Sequence, residues 1–383
     1  MTAPSPGAAP LLFIPLKLRG LTARNRVVVS PMCQYSADDG CMSDWHMAHL
    51  GSLACSGAGL VMVEASGVTR EGRITHHCTG LYTDHNEAAM QRVVAACRRI
   101  TRSPIGIQLA HAGRKASTQV PWRGAKPLAA GDSPWPTVAP SALAFGDGWH
   151  VPHELSAGEI RGLIDAFAAA ARRALAIGFD VLELHSAHGY LTHQFLSPLA
   201  NHRSDRYGGS LENRMRFALE MARAVRELWP RERALGARIT ASDWAEGGFG
   251  PEDAVVYARE LKAVGLDYVC VSSGGLVAQQ RIKVEPGYQV GFAARVKQAV
   301  PIAVRAVGMI VDPEQAEQIV ASGKADMVAL ARGLLDNPRW VWHAAERFGA
   351  SVEYPPQYAR SHHAVWPGAA LARPRGVPTQ AAA

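Results

Sequence analysis

The stretch Asp180-Val-Leu-Glu-Leu-His-Ser-Ala-His-Gly-Tyr-Leu191 joins a strand to a loop that is rich in reactive groups. Its first half is short and apolar, which is typical of a buried strand. His185, His188 and Tyr190 follow directly. Two imidazoles can bind one carbonyl oxygen, and a neutral phenol can deliver a proton beside it. The pattern predicts a reaction site at the end of this strand, the alternative being that these are ordinary core or loop residues.

The same unit, a strand followed by a helix, repeats along the chain. Apolar, β-branched runs predict eight strands, at residues 26–32, 60–65, 105–110, 181–185, 237–242, 268–272, 302–306 and 327–331. Amphipathic patterns between them predict helices at 45–56, 87–101, 157–177, 211–228, 251–264, 288–299, 313–322 and 338–348. Eight such units in one series indicate an α/β fold, the closed (β/α)8 or TIM barrel. An open doubly wound sheet is the alternative, but its GxGxxG fingerprint does not follow the first strand.

Composition and charge indicate which classes of protein to exclude. The chain has 383 residues, of which 48% are hydrophobic and 19% charged, and a net charge of +7 without a lysine or arginine run. We therefore expect no nucleic-acid partner, and no apolar run is long enough to predict a membrane span. The six cysteines include no CxxC pair and the N-terminus resembles no secretory signal. A reduced, cytoplasmic setting without a bound metal is the expectation.

Two segments depart from the repeat. Residues 115–155 follow the third strand and are rich in Pro, Gly and Trp, so we expect an insertion that forms part of the active-site rim, with a plain surface loop as the alternative. Residues 1–360 are predicted to form one barrel domain that includes this insertion. Residues 361–383 are predicted to be a partly flexible C-terminal tail.

Polar residues collect at the predicted carboxyl ends of the strands, where barrel enzymes place their sites. Arg238 points inward on a strand and requires an anion or acceptor, which a salt bridge or a flavin edge would supply. Gln108 offers a donor and an acceptor suited to an imide-like edge. Glycines at the ends of the sixth to eighth strands, together with Arg332, predict a phosphate site, although for each glycine alone a tight turn is the better explanation. Cys33 is either a small core residue or part of the site.

With these residues assembled, the chain resembles the old yellow enzyme family of FMN-dependent ene-reductases, and specifically its thermophilic-like, xenobiotic reductase branch. The resemblance runs from about Leu12 to Arg360. The motifs that carry it are Asn-Arg-Val-Val-Val-Ser-Pro-Met-Cys-Gln-Tyr at 25–35, Gln-Leu-Ala-His-Ala-Gly-Arg-Lys at 108–115, Glu-Leu-His-Ser-Ala-His-Gly-Tyr-Leu at 183–191, and shorter blocks at 195–198, 201–203, 205–210 and 212–214.

The resemblance implies FMN on the barrel mouth and NADPH as co-substrate. The residues that it assigns to the flavin are Ser30, Pro31, Met32, Cys33, Ala65, Gln108 and Arg238, with Gly308, Ala331 and Arg332 at its phosphate end. His185 and His188 are expected to bind the carbonyl oxygen of the substrate, and Tyr35 to line its pocket.

The implied reaction is reduction of the activated C=C bond of enones, enals, maleimides or nitro compounds. Flavin N5 would pass hydride to the β-carbon and Tyr190 a proton to the α-carbon. The alternative is a flavin-dependent xenobiotic or redox-sensing protein with another substrate. Other FMN barrels are disfavoured because they use a different catalytic loop, and a metal-dependent hydrolase because the first strand ends without a ligand.

The branch also implies a homodimer or homotetramer in which the C-terminal arm is exchanged. Gln-Tyr-Ala-Arg at 357–360 resembles the ending that places an arginine in the partner's site. Arg360 is therefore expected to contact the substrate of a neighbouring subunit. Val307 stands where some relatives carry a tryptophan, which is expected to change the substrates that fit.

Overall fold

A computed structural model describes residues 9–372. Eight parallel strands form a barrel: β3 (Val27–Val29), β4 (Leu60–Gly67), β5 (Ile105–Ala110), β8 (Val181–Ser186), β9 (Ala234–Thr240), β10 (Tyr268–Ser272), β11 (Ala303–Ala306) and β12 (Met327–Leu330). The barrel closes in the order β10-β11-β12-β3-β4-β5-β8-β9. The predicted TIM barrel and all eight strand positions are confirmed.

Eight helices surround the barrel, one after each strand. They are α1 (Asp44–Ala54), α2 (Asp84–Ile100), α3 (Ala157–Ile177), α5 (Leu211–Leu228), α6 (Pro251–Val264), α7 (Val290–Ala299), α8 (Pro313–Ala321) and α10 (Trp340–Arg347). Side-chain caps fix their starts: Ser156 accepts the Glu159 N–H before α3, and Asp312 accepts the Gln315 N–H before α8. Gly178 ends α3 with φ 95°, a backbone conformation that glycine adopts without strain.

The structure adds elements that the periodicity did not predict. A hairpin of β1 (Leu16–Leu18) and β2 (Leu21–Ala23) precedes the barrel, and β6 (Val138–Ala139) pairs with β7 (His153–Glu154) within the insertion. Three short helices are also new: α4 (Leu191–Leu196), α9 (Arg332–Asp336) and α11 (Ala369–Ala372). The first barrel strand is shorter than predicted, since regular pairing ends at Val29 and residues 30–35 form a loop.

At the end of the barrel where the strands begin, aspartates accept hydrogen bonds from the backbone of neighbouring strands. Asp180 accepts the Ile105 N–H, and Asp267 accepts the Leu235 N–H, each at 2.9 Å. Asp326 does the same for Val304 at 2.8 Å. Each carboxylate thus satisfies the first buried donor of a neighbouring strand.

The insertion lies over the opposite end, where the strands finish. Its Trp122 packs edge-on against Tyr35, with the ring centroids 6.0 Å apart. The C-terminal arm runs past α10, where Tyr354 packs on Trp342. The tail is described as far as residue 372; the prediction that residues 361–383 are partly flexible falls in part on residues 373–383, outside the described part. The division at residue 360 stays a prediction. Within residues 9–372, no helix has the length and apolarity to cross a bilayer.

Candidate active site

Three aromatic side chains meet where β8 ends. The His185 ring lies 5.1 Å from that of His188 and 4.9 Å from that of Tyr190, measured between centroids. The chain can turn this sharply because His188 adopts a left-handed backbone with φ 60°. The sequence pattern therefore brings both imidazoles and the phenol to one place at the barrel mouth.

The hydrogen bonds of His185 define its donor. Its Nδ1 accepts the N–H of Ala187 at 3.2 Å, so in the neutral ring the proton sits on Nε2. Burial lowers the pKa of His185 well below its usual value, and the neighbouring His188 and Arg238 lower it further. His185 is thus neutral near pH 7 and presents one N–H.

Ser272, at the end of β10, orients His188. The Ser272 hydroxyl donates to Gln289 Oε1 at 3.2 Å and lies 2.7 Å from His188 Nε2. The contact with Ser272 fixes the orientation of the His188 ring. Burial lowers the pKa of His188 well below its usual value, as does the charge of Arg238. Sequence reasoning placed Ser272 only at a strand end and missed this role.

Tyr190 keeps its proton at any physiological pH. Burial raises the pKa of its phenol strongly, and the nearby thiols of Cys33 and Cys78 add to the effect. Burial also raises the pKa of the Tyr35 phenol, with Cys33 and Tyr190 contributing. Cys33 itself is half-buried, and burial next to Glu64 raises its pKa, so its sulfur is a thiol.

A bulge in β4 supports the Cys33 loop. The pairing of β4 with β5 shifts register between Val63 and Ala65, and Glu64 at the bulge turns toward the Gln34 N–H, which it accepts at 2.9 Å. His46 of α1 lies 3.3 Å from the other Glu64 oxygen. The sequence placed Glu64 at a strand end but gave it no role, because a bulge leaves no mark in the apolar pattern. Pro31, Met32 and Ala65 lie in or next to this loop, Ala65 being buried on β4.

Gln108 and Arg238 present polar atoms without partners. The Gln108 Nε2 donates to Glu183 at 2.7 Å, and its Oε1 accepts no hydrogen bond from residues 9–372. Arg238 donates to the Ser30 hydroxyl at 2.8 Å through Nη2, while its buried Nε has no hydrogen-bond partner in the same range. The Gln108 Oε1 is therefore an acceptor left open to a ligand, whereas the Arg238 Nε faces the Glu183 carboxylate at 4.0 Å.

The predicted phosphate end is formed by the last two strands. Gly308 follows β11 with φ 115°, and a Cβ there would lie 2.6 Å from Gln289 Nε2. Ala331 precedes α9, and Arg332 begins it with an exposed side chain. Burial raises the pKa of Tyr288, and the charge of Arg332 opposes that rise. A glycine turn, a helix start and a guanidinium thus share one corner of the mouth.

The glycines after the sixth strand include one that close packing requires, and the phosphate contact predicted for them stays a prediction. A Cβ on Gly275 would lie 2.6 Å from the carbonyl oxygen of His188, and a Cβ on Gly189 would overlap that of Gly275. Gly275 is therefore needed because two loop backbones touch. Lys115 clamps the same contact, since its Nζ donates to the carbonyls of His188 and Gly275 at 2.8 Å each.

Lys115 was quoted in a motif but given no role. Burial lowers the pKa of its ammonium to about 8, with Arg114 contributing, and the ammonium lies 5.3 Å from the centre of the Tyr190 ring. Little in the sequence indicates a buried Lys115, because lysine is ordinarily a surface residue. The carbonyls that bind it come from loops 73 and 160 residues away.

A buried pair, His193 and Asp243, supports the loop that follows β8. The His193 Nδ1 accepts the Gly189 N–H at 2.9 Å, and its Nε2 donates to Asp243 at 2.7 Å. Ser197 donates to the other Asp243 oxygen at 2.6 Å. Burial alone would raise the pKa of Asp243, but His193 and these hydrogen bonds hold it below its usual value.

Arg360 is not brought to this mouth. It lies in a 3-10 helical turn, Pro356–Ser361, with its side chain exposed. The turn is attached through Tyr358 to Trp342 of α10, with ring centroids 5.8 Å apart. A contact between Arg360 and a substrate therefore requires another subunit. No group of three or more His, Cys, Asp or Glu side chains among residues 9–372 is arranged to hold a metal ion.

A known protein family and known relatives match most of this chain. A sequence model of the NADH:flavin oxidoreductase / NADH oxidase family matches residues 11–349. The NADPH dehydrogenase of Geobacillus thermodenitrificans is 44% identical over 352 residues, which cover 91% of this chain and 98% of that protein. The NADPH dehydrogenase of Bacillus subtilis is 41% identical over 351 residues, with the same coverage.

Solved structures with this architecture include a morphinone reductase. It superposes with a TM-score of 0.74 at 29% identity, covering 92% of this chain and 94% of the other. An old yellow enzyme homologue from Zymomonas mobilis gives a TM-score of 0.74 at 24% identity, over 90% of this chain and 94% of that one, which supports the fold alone.

Proposed function

Because the chain belongs to the NADH:flavin oxidoreductase / NADH oxidase family, in which it is an old yellow enzyme relative, we propose that it reduces the activated C=C bond of α,β-unsaturated carbonyl compounds. It is an oxidoreductase that takes FMN as cofactor and NADPH as reductant. Enones, enals and maleimides are the proposed substrates, with nitro compounds as an extension. The observation that carries the proposal is the meeting of His185, His188 and Tyr190 beside unpartnered polar atoms.

The residues present fit FMN. The free Gln108 Oε1 suits the N–H of an imide-like ring edge, and Arg238 supplies donors for the carbonyl beside it. At the other end, Gly308 and Ala331 would give backbone N–H groups and Arg332 a charged contact to a phosphate. The loop from Ser30 to Cys33, together with Ala65, would line the ring. Bound FMN supplies two-electron transfer between NADPH and an alkene.

The two histidines would hold the carbonyl oxygen of the substrate. His185 offers Nε2–H, and the neutral His188 ring lies beside it, with the two ring centroids 5.1 Å apart. Negative charge grows on the carbonyl oxygen as the β-carbon is reduced, and preorganised donors stabilise that charge. Lys115 and the His193–Asp243 pair keep the donors in place, so little reorganisation accompanies the reaction.

Tyr190 would protonate the α-carbon. Its hydroxyl is protonated and makes no hydrogen bond with residues 9–372, so it is free to approach a substrate bound at the histidines. Tyr35 and Trp122 would close the outer wall of the pocket, and Val307 its inner side near Gly308.

We further propose a homodimer or homotetramer in which Arg360 contacts the substrate of a neighbouring subunit. The exposure of Arg360 on an arm that extends past α10 supports this. The proposed location is the cytoplasm, which the free thiols favour. Neither a nucleic acid nor a membrane is proposed as a partner.

An anaerobic absorption experiment tests the proposal. The purified protein is expected to show a flavin band that bleaches with NADPH and returns on addition of 2-cyclohexenone. Recovery with the enone supports the proposed reaction, with saturated cyclohexanone as the matched control that restores no colour. A band that bleaches and does not return would retain the cofactor but contradict the substrate class, leaving a xenobiotic or redox-sensing role.

A further inference from the structure

A carboxylate is fully buried inside the barrel, one layer below the proposed reaction site. Glu183 precedes His185 by two residues on β8, so both side chains point into the barrel at successive levels. Burying an isolated carboxylate is costly, and a carboxylate in such a place is retained only with good partners. The proposed reaction does not use Glu183, and the roles proposed above do not include it.

Four strands supply the surroundings of this carboxylate. Its Oε1 accepts the Gln108 Nε2–H at 2.7 Å, and its Oε2 accepts the Tyr268 hydroxyl at 3.0 Å. Arg305, itself fully buried, donates to Oε2, and the Arg238 Nε lies 4.0 Å from Oε1. Paired with a guanidinium, the carboxylate is ionised and can only accept hydrogen bonds.

This acceptor fixes the orientation of the Gln108 amide. An amide has one accepting and one donating end, and only the donating NH2 can face an ionised carboxylate. The Gln108 Oε1 is consequently turned away from Glu183 and is left as an acceptor. A reversed amide would present NH2 groups to a ring N–H, with which it could form no hydrogen bond.

The same carboxylate offsets the charge of Arg238. Arg238 is 5% exposed, so water screens its charge poorly. A cation beside a flavin stabilises the anionic reduced form and raises the reduction potential. An anion 4.0 Å from that cation acts in the opposite direction.

We propose that Glu183 is a positioning residue that fixes which end of Gln108 faces the cofactor and offsets Arg238, and that it thereby sets the FMN affinity and the reduction potential of bound FMN. The inference rests on the proposed function, because it requires FMN at this mouth.

Glu183→Gln tests both consequences, since the new amide can donate as well as accept and carries no charge. FMN titrated into the apoprotein is expected to bind about tenfold more weakly, because Gln108 is no longer held in one orientation. The affinity for reduced FMN should be nearly unchanged. The charge of Arg238, no longer offset by Glu183, attracts the anionic reduced flavin more strongly and compensates for the loss at Gln108. The midpoint potential should then rise by about 30 mV, the equivalent of a tenfold ratio for a two-electron couple.

Tyr268→Phe is the matched control. It removes a donor to the other Glu183 oxygen without changing any charge, so it should lower stability and leave affinity and potential at wild-type values. If Glu183→Gln behaves in the same way, with only stability reduced, the inference is overturned. A wild-type protein that binds no FMN would instead overturn the proposed function.

Glu183→Gln could fail to fold, because it leaves the buried Arg305 without its anion. A second pair of variants tests the proposal in that case. Glu183→Gln in an Arg305→Gln background is compared with Arg305→Gln alone, so that no extra buried cation remains. The same weakening of FMN binding and the same positive shift are expected. Equal affinities and potentials in the two proteins would contradict the proposal.

Discussion

Where the strands begin, three aspartates each accept a backbone N–H of a neighbouring strand, whereas where the strands finish, two buried side chains keep polar atoms without a hydrogen bond in the described part of the chain. Asp180, Asp267 and Asp326 each accept a strand N–H, and each is also paired with an arginine or lysine. At the other end, Arg238 Nε and Gln108 Oε1 make no hydrogen bond within residues 9–372.

Backbone strain follows the same division. Among the residues that the structure describes, eight of the nine non-glycine residues with positive φ lie in loops after barrel strands; they include Tyr35, His188, Trp244 and Met309, at 49°, 60°, 54° and 48°. Such conformations cost energy and persist where the surroundings enforce them, which is frequent at functional sites. One end of this barrel is therefore built for stability, and the other gives up some stability to hold reactive groups.

The largest expected effect is that of Tyr190→Phe at the mouth. Reoxidation of the NADPH-reduced protein by 2-cyclohexenone should slow by about 10²- to 10⁴-fold, the usual contribution of a general acid. Reduction by NADPH should keep its rate, because no proton donor is needed there. Stopped-flow absorbance measures both half-reactions, and equal slowing of the two would show that the role of Tyr190 is structural.

Asp267→Ala, at the end where the strands begin, should lower stability and leave the reaction rates unchanged. The Leu235 N–H loses its acceptor, and the free energy of unfolding should fall by about 1–3 kcal/mol. Urea denaturation measures this loss, and Asp267→Asn, which keeps an acceptor oxygen, should lose less. Both half-reactions should remain at wild-type rates, so a selective loss of enone turnover would break the division between the two ends.

Acid should destabilise the mouth through its histidines. Burial lowers the pKa of His111 to about 4, and the pKa values of His185 and His188 are also lowered by burial. Below pH ~6.5 the unfolded chain binds protons that the folded chain does not, so stability falls as pH decreases toward 4.

Removing one such histidine should flatten the pH profile. His111→Gln is expected to reduce the slope of unfolding free energy against pH by up to about 1.4 kcal/mol per pH unit between pH 4 and 6.5. The glutamine retains an acceptor for the Gly113 N–H, which Nδ1 of His111 accepts at 3.0 Å. A profile with the wild-type slope would mean that His111 titrates normally in the folded protein.

Ser272→Ala should have the smallest effect. Without the hydroxyl, His188 is free to place its proton on either nitrogen, and enone turnover should fall by roughly fivefold, equivalent to about 1 kcal/mol for one hydrogen bond. Ser273→Ala, which removes the adjacent hydroxyl that donates to Gln289 and does not contact His188, is the control. Equal rates in the two variants would remove Ser272 from the description of the site.

The barrel could be predicted because its strands are continuous apolar runs, and the two histidines and the tyrosine because they are neighbours in the sequence. Glu64, Lys115, Ser272 and Asp243 could not be, since their roles depend on partners in other strands and loops. Gly275 had a recognisable signal, but its cause, contact with the His188–Gly189 backbone, appears only in three dimensions.

A crystal structure of the protein as purified tests the central claim most directly, namely that the mouth leaves polar atoms without partners because FMN takes them. FMN is expected with its pyrimidine edge against Gln108 Oε1 and Arg238, and its phosphate at Gly308 and Arg332. A flavin bound elsewhere, or a mouth in which Gln108 and Arg238 have found partners within the chain, would contradict the account.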